Sequence, residues 1–170
     1  MNVGADDGAR PDDAATRIIA ALTTSHSSIA IAESLTGGLL TAALVAVPGA
    51  SVVLRGGVVA YDTAIKHTLL GVDAEVLSAH GPVHPDVAMQ MAVGVRTTLA
   101  VGGEPALIGL STTGVAGPES HDGHEPGTAF VGLAIGGEVR SFPLRLSGDR
   151  NAVRAGVVQH ALAILEESLG

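Results

Sequence analysis

One short stretch limits what this chain can fold into. Ile29-Ala30-Ile31-Ala32 reads as an apolar strand, Glu33-Ser34-Leu35-Thr36-Gly37-Gly38 as a polar turn, and Leu39-Leu40 begins a run of helical character. A buried strand that passes through a glycine turn into a helix is a unit of an open α/β sheet. Such sheets bind ligands at the carboxyl ends of their strands. The hydroxyl of Ser34 sits at that end, beside a helix start whose unpaired N–H groups can hold an anion or an oxyanion.

The core has to be aliphatic. Hydrophobic residues make up 46 % of the 170, yet Trp is absent, Tyr occurs once and Phe twice. Ala, Val, Leu and Ile must fill the interior, and 23 glycines point to tight turns and close helix–strand contacts. The length fits one domain. The net charge is −8 and no Lys/Arg cluster occurs, so the basic face of a direct nucleic-acid binder is missing. Without cysteine, disulfides, thiolate zinc sites and cysteine nucleophiles are excluded. The acidic first residues lack an apolar signal-peptide core, and no apolar run reaches membrane-spanning length free of Gly, Pro or charge. The expectation is a cytoplasmic protein with no membrane partner.

Hydrophobic period and breakers predict the elements. Residues 1–12 read as a disordered acidic tail and 13–170 as the folded domain. Asp13 is placed to cap a helix over 14–23. After the strand Ile29 to Ala32, a helix is predicted over Thr36 to Val47, closed by Pro48-Gly49. Gly56 to Tyr61 is a second strand. Asp62 or Thr63 caps a short helix to Leu70, and Asp73 starts another through Ala79. His84-Pro85 opens a long helix with Val87, Met91, Val95 and Leu99 as its buried stripe. Ala106 to Leu110 is a strand, and 111–127 a Gly/Pro-rich loop of a length often tied to function. Thr128–Ile135 and Glu138–Leu144 form a hairpin around Gly136-Gly137, and Arg150 to Leu169 is the last helix. Alternation of strand and helix followed by a hairpin predicts a mixed β-sheet covered by helices on both faces, a three-layer α/β/α sandwich.

Lys66 is the only lysine, and it follows the second strand closely. A serine hydroxyl is a weak nucleophile until a base takes its proton. A lysine can do so once burial or a neighbouring cation depresses its pKa from about 10.4. Ser34 with Lys66 is therefore the candidate catalytic pair, against the alternative of a solvated lysine. His121-Asp122-Gly123-His124-Glu125 reads as a solvated loop, because no second set of metal ligands accompanies it. No metal or other cofactor is expected.

Several motifs appear in a fixed order: Ala32-Glu33-Ser34-Leu35-Thr36-Gly37-Gly38, Val47-Pro48-Gly49-Ala50-Ser51, Gly56-Gly57-Val58-Val59-Ala60-Tyr61 followed by Lys66, Thr113-Gly114-Val115-Ala116-Gly117-Pro118, Pro126-Gly127-Thr128 and Gly148-Asp149-Arg150. In these the chain resembles the C-terminal domain of the competence/damage-inducible protein CinA, the nicotinamide-nucleotide amidase family, over about residues 14–168. The resemblance implies a compact α/β/α domain, commonly self-associated. It also implies hydrolysis of the carboxamide of nicotinamide mononucleotide to nicotinate mononucleotide and ammonia. Ser34 is then the nucleophile, Lys66 and Tyr61 its proton-transfer group, and Ser51, Thr113 and Arg150 line the same site.

On that reading the Tyr61 phenol holds the hydroxyl–amine pair in line, or else it fills core at a strand end. Amides around Thr36, Gly37 and Gly38 receive the oxyanion or the phosphate, or else the two glycines serve close packing. Arg150 binds phosphate through two hydrogen bonds, or pairs with Asp149. Glu33 orients the site, or is a partly exposed acid at the strand end. Two departures stand out. Leu35 replaces a common Cys, and the loop 119–125 lacks a common lysine. A non-catalytic nucleotide-phosphate binder and a protein-interaction module are the alternatives.

Overall fold

The structure is a computed structural model and describes residues 13–170. The tail expected over 1–12 and the capping side chain expected at Asp13 lie outside the described residues.

Six helices and five strands follow one another, alternating as far as the third helix. They are α1 (Asp13–Thr24), β1 (Ile29–Glu33), α2 (Leu39–Val45), β2 (Leu54–Val59), α3 (Thr63–Leu70), α4 (Ala74–His80), α5 (Pro85–Thr98), β3 (Ile108–Gly114), β4 (Thr128–Ile135), β5 (Glu138–Arg145) and α6 (Arg150–Leu169). The sheet order is β2-β1-β3-β4-β5. β1 runs parallel to β2 and β3, and β4 and β5 complete the sheet antiparallel. This is the mixed sheet and three-layer sandwich that the element order predicts.

Period-two alternation sorts the side chains of β1 between two cores. Ile29 and Ile31 join Ile18, Leu22, Leu40, Leu44, Leu162 and Leu165 under α1, α2 and α6. Ala30 and Ala32 join Leu70, Val87, Met91 and Val95 under α3 and α5. Each fully buried Leu or Ile stabilises by roughly 1.5–3 kcal/mol relative to exposure.

Small residues let α5 lie almost on the sheet. A Cβ at Gly109 would stand 1.9 Å from the Ala92 carbonyl oxygen, and one at Gly132 2.1 Å from that of Ala88. Ser111 Oγ fills the remaining gap and donates to Ala88 O at 2.6 Å. The close approach brings the segment before α5 down onto β3, where Thr113 Oγ1 donates to Pro82 O at 2.7 Å.

Several boundaries differ from the sequence expectation, and β2 covers Leu54–Val59 rather than Gly56 to Tyr61. α2 begins at Leu39 rather than Thr36, because Gly37 (φ 60°) and Gly38 (φ 97°) hold a left-handed turn first. β3 covers Ile108–Gly114 rather than Ala106 to Leu110. Thr112 and Thr113 are polar, and on composition read as loop, yet both are buried within the sheet.

Candidate active site

Three neighbouring parallel strands end together. Glu33 of β1 pairs with Val59 of β2 and with Thr112 of β3, so the residues that follow each strand converge at one edge. Alternation then separates Glu33 from Ser34. Glu33 continues the Ile29–Ile31 face towards α2, whereas Ser34 continues the Ala30–Ala32 face towards α3.

Lys66 comes to Ser34 from α3. Asp62 caps that helix, its Oδ1 accepting from the Ala64 amide at 2.8 Å, and the left-handed Gly71 ends it. One turn in, Lys66 is 1 % exposed and Ser34 7 %. Lys66 Nζ donates to Ser34 Oγ at 3.1 Å, to Ala60 O at 2.7 Å and to Tyr61 O at 3.4 Å. Burial is the larger influence on its ammonium, and the nearby Asp62 carboxylate opposes it. The pKa falls from 10.5 to about 8. A lysine held in this way can lose its proton near neutral pH and take one from the hydroxyl it touches.

Ser34, Tyr61, Lys66, Thr113 and Arg150 line one cleft of about 560 Å³, with Leu35, Asp62, Pro82, Val83 and the 114–121 segment. Tyr61 is 61 % exposed, so it is not core filler. Its hydroxyl hydrogen-bonds neither Ser34 nor Lys66. The hydroxyl accepts from Arg150 Nη2 at 3.0 Å, and it is the Tyr61 main-chain carbonyl that faces the amine. Arg150 also donates from Nη1 to Gly117 O at 2.8 Å. Asp149 accepts instead from the Ala152 amide, as the N-cap of α6.

The turn after the serine is used differently from the sequence expectation. Thr36 is fully buried, with its hydroxyl 2.8 Å from that of Thr112. The Gly37 amide donates to Ser34 O at 3.1 Å. The Gly38 amide donates to Glu33 Oε2 at 2.9 Å. Neither glycine amide is therefore open to an anion. Glu33 is fully buried and takes the start of α2 for itself. It accepts from the amides of Gly38, Leu40 and Thr41 and from Thr41 Oγ1 at 2.6 Å. Ser51 is not in the cleft. It lines a separate, more apolar hollow with Thr41, Val45, Val47 and Leu54. A 3-10 turn over Ala50–Val52 carries it there, away from the strand ends.

Sequence reasoning passed over Arg154. Its Nε donates to Leu35 O and its Nη2 to Thr36 O, both at 3.0 Å. The available signal was its spacing, four residues after Arg150 on one face of α6. In the loop opposite, His121 and His124 close a small turn through paired main-chain bonds, and His121 reaches the cleft wall.

The fold and this site define an α/β/α protein with a buried serine–lysine pair at the carboxyl edge of a mixed sheet. The pattern of the CinA C-terminal domain matches residues 11–169, and the chain belongs to that family. A CinA-like protein of Frankia casuarinae is 42 % identical over 159 residues, which are 93 % of this chain and 36 % of that protein. One from Dictyoglomus thermophilum is 45 % identical over 143 residues, 84 % of this chain and 34 % of the relative. The chain thus spans about a third of the length of these relatives. Among solved structures, a CinA superfamily protein of Klebsiella pneumoniae 700603 superposes with a TM-score of 0.87 at 33 % identity. That match covers 95 % of this chain and 98 % of the other. None of the helices among the described residues is long and apolar enough to cross a membrane.

Proposed function

We propose that this chain is a serine–lysine amidase that hydrolyses the carboxamide of nicotinamide mononucleotide to nicotinate mononucleotide and ammonia. The observation that carries the proposal is the contact of Ser34 Oγ with a lysine that is both buried and lowered to a pKa of about 8. Amide hydrolysis needs a nucleophile, a base, an oxyanion site and a proton for the departing amine. Neutral Lys66 takes the Ser34 proton as Oγ attacks the carboxamide carbon. The resulting ammonium returns that proton to nitrogen, and ammonia leaves an acyl-serine that water then hydrolyses.

Arg150 supplies a charged fork at the cleft wall for the substrate phosphate, with Tyr61 hydrogen-bonded to it. Thr113 shapes the wall through its bond to Pro82. The Thr36 hydroxyl and the Gly37 and Gly38 amides serve through the fold of the turn, not as direct anion ligands. Self-association belongs to the same family-based reading.

Ammonia release from nicotinamide mononucleotide by the wild type and by Ser34→Ala tests the proposal. The wild type is expected to release ammonia and the variant none. Binding of the mononucleotide without hydrolysis by the wild type would select a non-catalytic nucleotide binder.

A further inference from the structure

The turn that carries Ser34 is gripped from outside by a residue that does not line the cleft. Arg154 is half-buried on α6, and no carboxylate forms an ion pair with it among the described residues. Its fork is spent on two main-chain carbonyls, those of Leu35 and Thr36, the two residues after the nucleophile. A charged hydrogen bond to a carbonyl is stronger than a neutral one, and two from one planar group also fix direction. The fit is tight, since a Cβ at Gly37 would stand 3.2 Å from Arg154 Nη2.

These grips determine where the neighbouring N–H groups point. In a trans peptide the N–H is opposed to the C=O of the same unit. Holding Leu35 O towards α6 turns the Thr36 N–H away from Arg154. The Ser34 carbonyl is held likewise, by the Gly37 amide, and this sets the Leu35 N–H. The amides of Leu35 and Thr36 have no hydrogen-bond partner among the described residues, although Leu35 is 3 % exposed and Thr36 fully buried. Buried amides are almost always paired, so two unpaired donors next to a nucleophile call for an acceptor, and Leu35 itself lines the cleft. A guanidinium on the carbonyl of a peptide unit also polarises its N–H and makes it a better donor.

We propose that Arg154 is a positioning residue: by clamping the Leu35 and Thr36 carbonyls it presents the amides after Ser34 to the oxyanion of the acyl-transfer step. The inference rests on Ser34 being the nucleophile, but not on the identity of the amide.

The test uses the full chain and a small alkyl fluorophosphonate, which needs no natural substrate. Ser34 Oγ forms a bond to phosphorus, the P–F bond breaks, fluoride leaves and Lys66 takes the hydroxyl proton. The phosphoryl oxygen occupies the place of the oxyanion. The rate of mass gain is followed for wild type, Arg154→Met and Arg154→Lys, with Ser34→Ala as the blank. Loss of aligned oxyanion donors is worth about 10²–10³-fold. Arg154→Met should therefore slow modification by roughly 10²-fold, while Arg154→Lys, which reaches one carbonyl at a time, recovers part of the loss. The acid-side pKa of the rate should stay at the wild-type value, because Arg154 does not touch Lys66.

Wild-type rates in both variants would overturn the proposal, as would a shifted pKa, which would place the effect on the base. If Arg154→Met does not fold, a wild-type rate for Arg154→Lys overturns it alone. A wild type that leaves Ser34 unmodified overturns it too. A wild type that is modified at Ser34 but leaves nicotinamide mononucleotide intact overturns the amidase assignment and not this one.

Discussion

Glu33 and Ser34 are neighbours in sequence that serve opposite faces of the sheet. The carboxylate of Glu33 takes four donors at the start of α2, and the hydroxyl of Ser34 meets Lys66 of α3. Strand alternation makes this possible without a loop between the two roles. Ser34 is thus tied to a fully buried support one residue away.

The first prediction follows from that tie. Glu33→Gln keeps the shape but turns an N–H₂ group towards donors that had an acceptor. Hydrogen bonds to a charged group are worth about 1.5–3 kcal/mol each, and some of the four survive on the amide oxygen. A loss of about 3 kcal/mol is expected, which in a chain of this size lowers Tm by roughly 6–12 °C. The rate of Ser34 modification should fall with it. Thermal unfolding checks the first part, and an unchanged Tm would show that Glu33 is not the anchor of α2.

The second prediction concerns the proton. Lys66→Ala and Lys66→Arg should both lose about 10²–10⁴-fold in kcat/KM, since arginine keeps the charge but does not accept a proton. In the wild type, kcat/KM should rise with pH and level off above an apparent pKa of about 8, the value to which burial lowers Lys66. The neutral form is the active one, so activity is lost on the acid side. Near-normal turnover by Lys66→Arg would leave Lys66 only an electrostatic role.

Much of this site was legible before any coordinates. Ser34 stood out as a hydroxyl at a strand end, and Lys66 as the sole lysine after the next strand. The β4–β5 hairpin and α6 lie where the breakers and apolar positions put them. Other features depend on pairings that sequence does not encode locally. β3 outruns its apolar stretch because Thr112 and Thr113 find buried partners in Thr36 and Pro82. Ser51 shares a motif with its neighbours yet stands on a turn that leads elsewhere. Arg154 resembles any helix-surface arginine until α6 is docked beside the turn of residues 35–36.

A third prediction separates Arg150 from Tyr61. Arg150→Ala should raise KM for the phosphorylated substrate by about 10–100-fold, the worth of a charge-assisted contact, and leave kcat nearly unchanged. Tyr61→Phe removes a hydrogen bond to Arg150 but keeps the carbonyl that faces Lys66. A loss within about tenfold is therefore expected, mostly in KM. Steady-state kinetics with the mononucleotide and with free nicotinamide decide the matter. A collapse of kcat in Tyr61→Phe would return the phenol to the proton path. Equal rates on free nicotinamide would remove the phosphate anchor.

The last prediction reads the strain on Lys66 through stability. Its pKa is about 8 in the fold against 10.5 when solvated, so the folded state gives up its proton first as pH rises. Between those values the unfolded chain holds more protons, and stability must rise with pH. The shift corresponds to about 3 kcal/mol that disfavours the folded state below pH 8 and is relieved by pH 10.5. Lys66→Met has no such group. It also loses the bond to Ala60 O, which sets back its own stability by about 1–3 kcal/mol. The difference in unfolding free energy, Lys66→Met minus wild type, should therefore be most favourable to the variant at pH 7 and decline by about 3 kcal/mol towards pH 10.5. Other titrating groups are common to both proteins and cancel. Urea unfolding at pH 7, 8, 9 and 10 measures the decline. A difference that stays flat across that range would mean that the amine is solvated in the folded protein, and the base on which the mechanism depends would be gone.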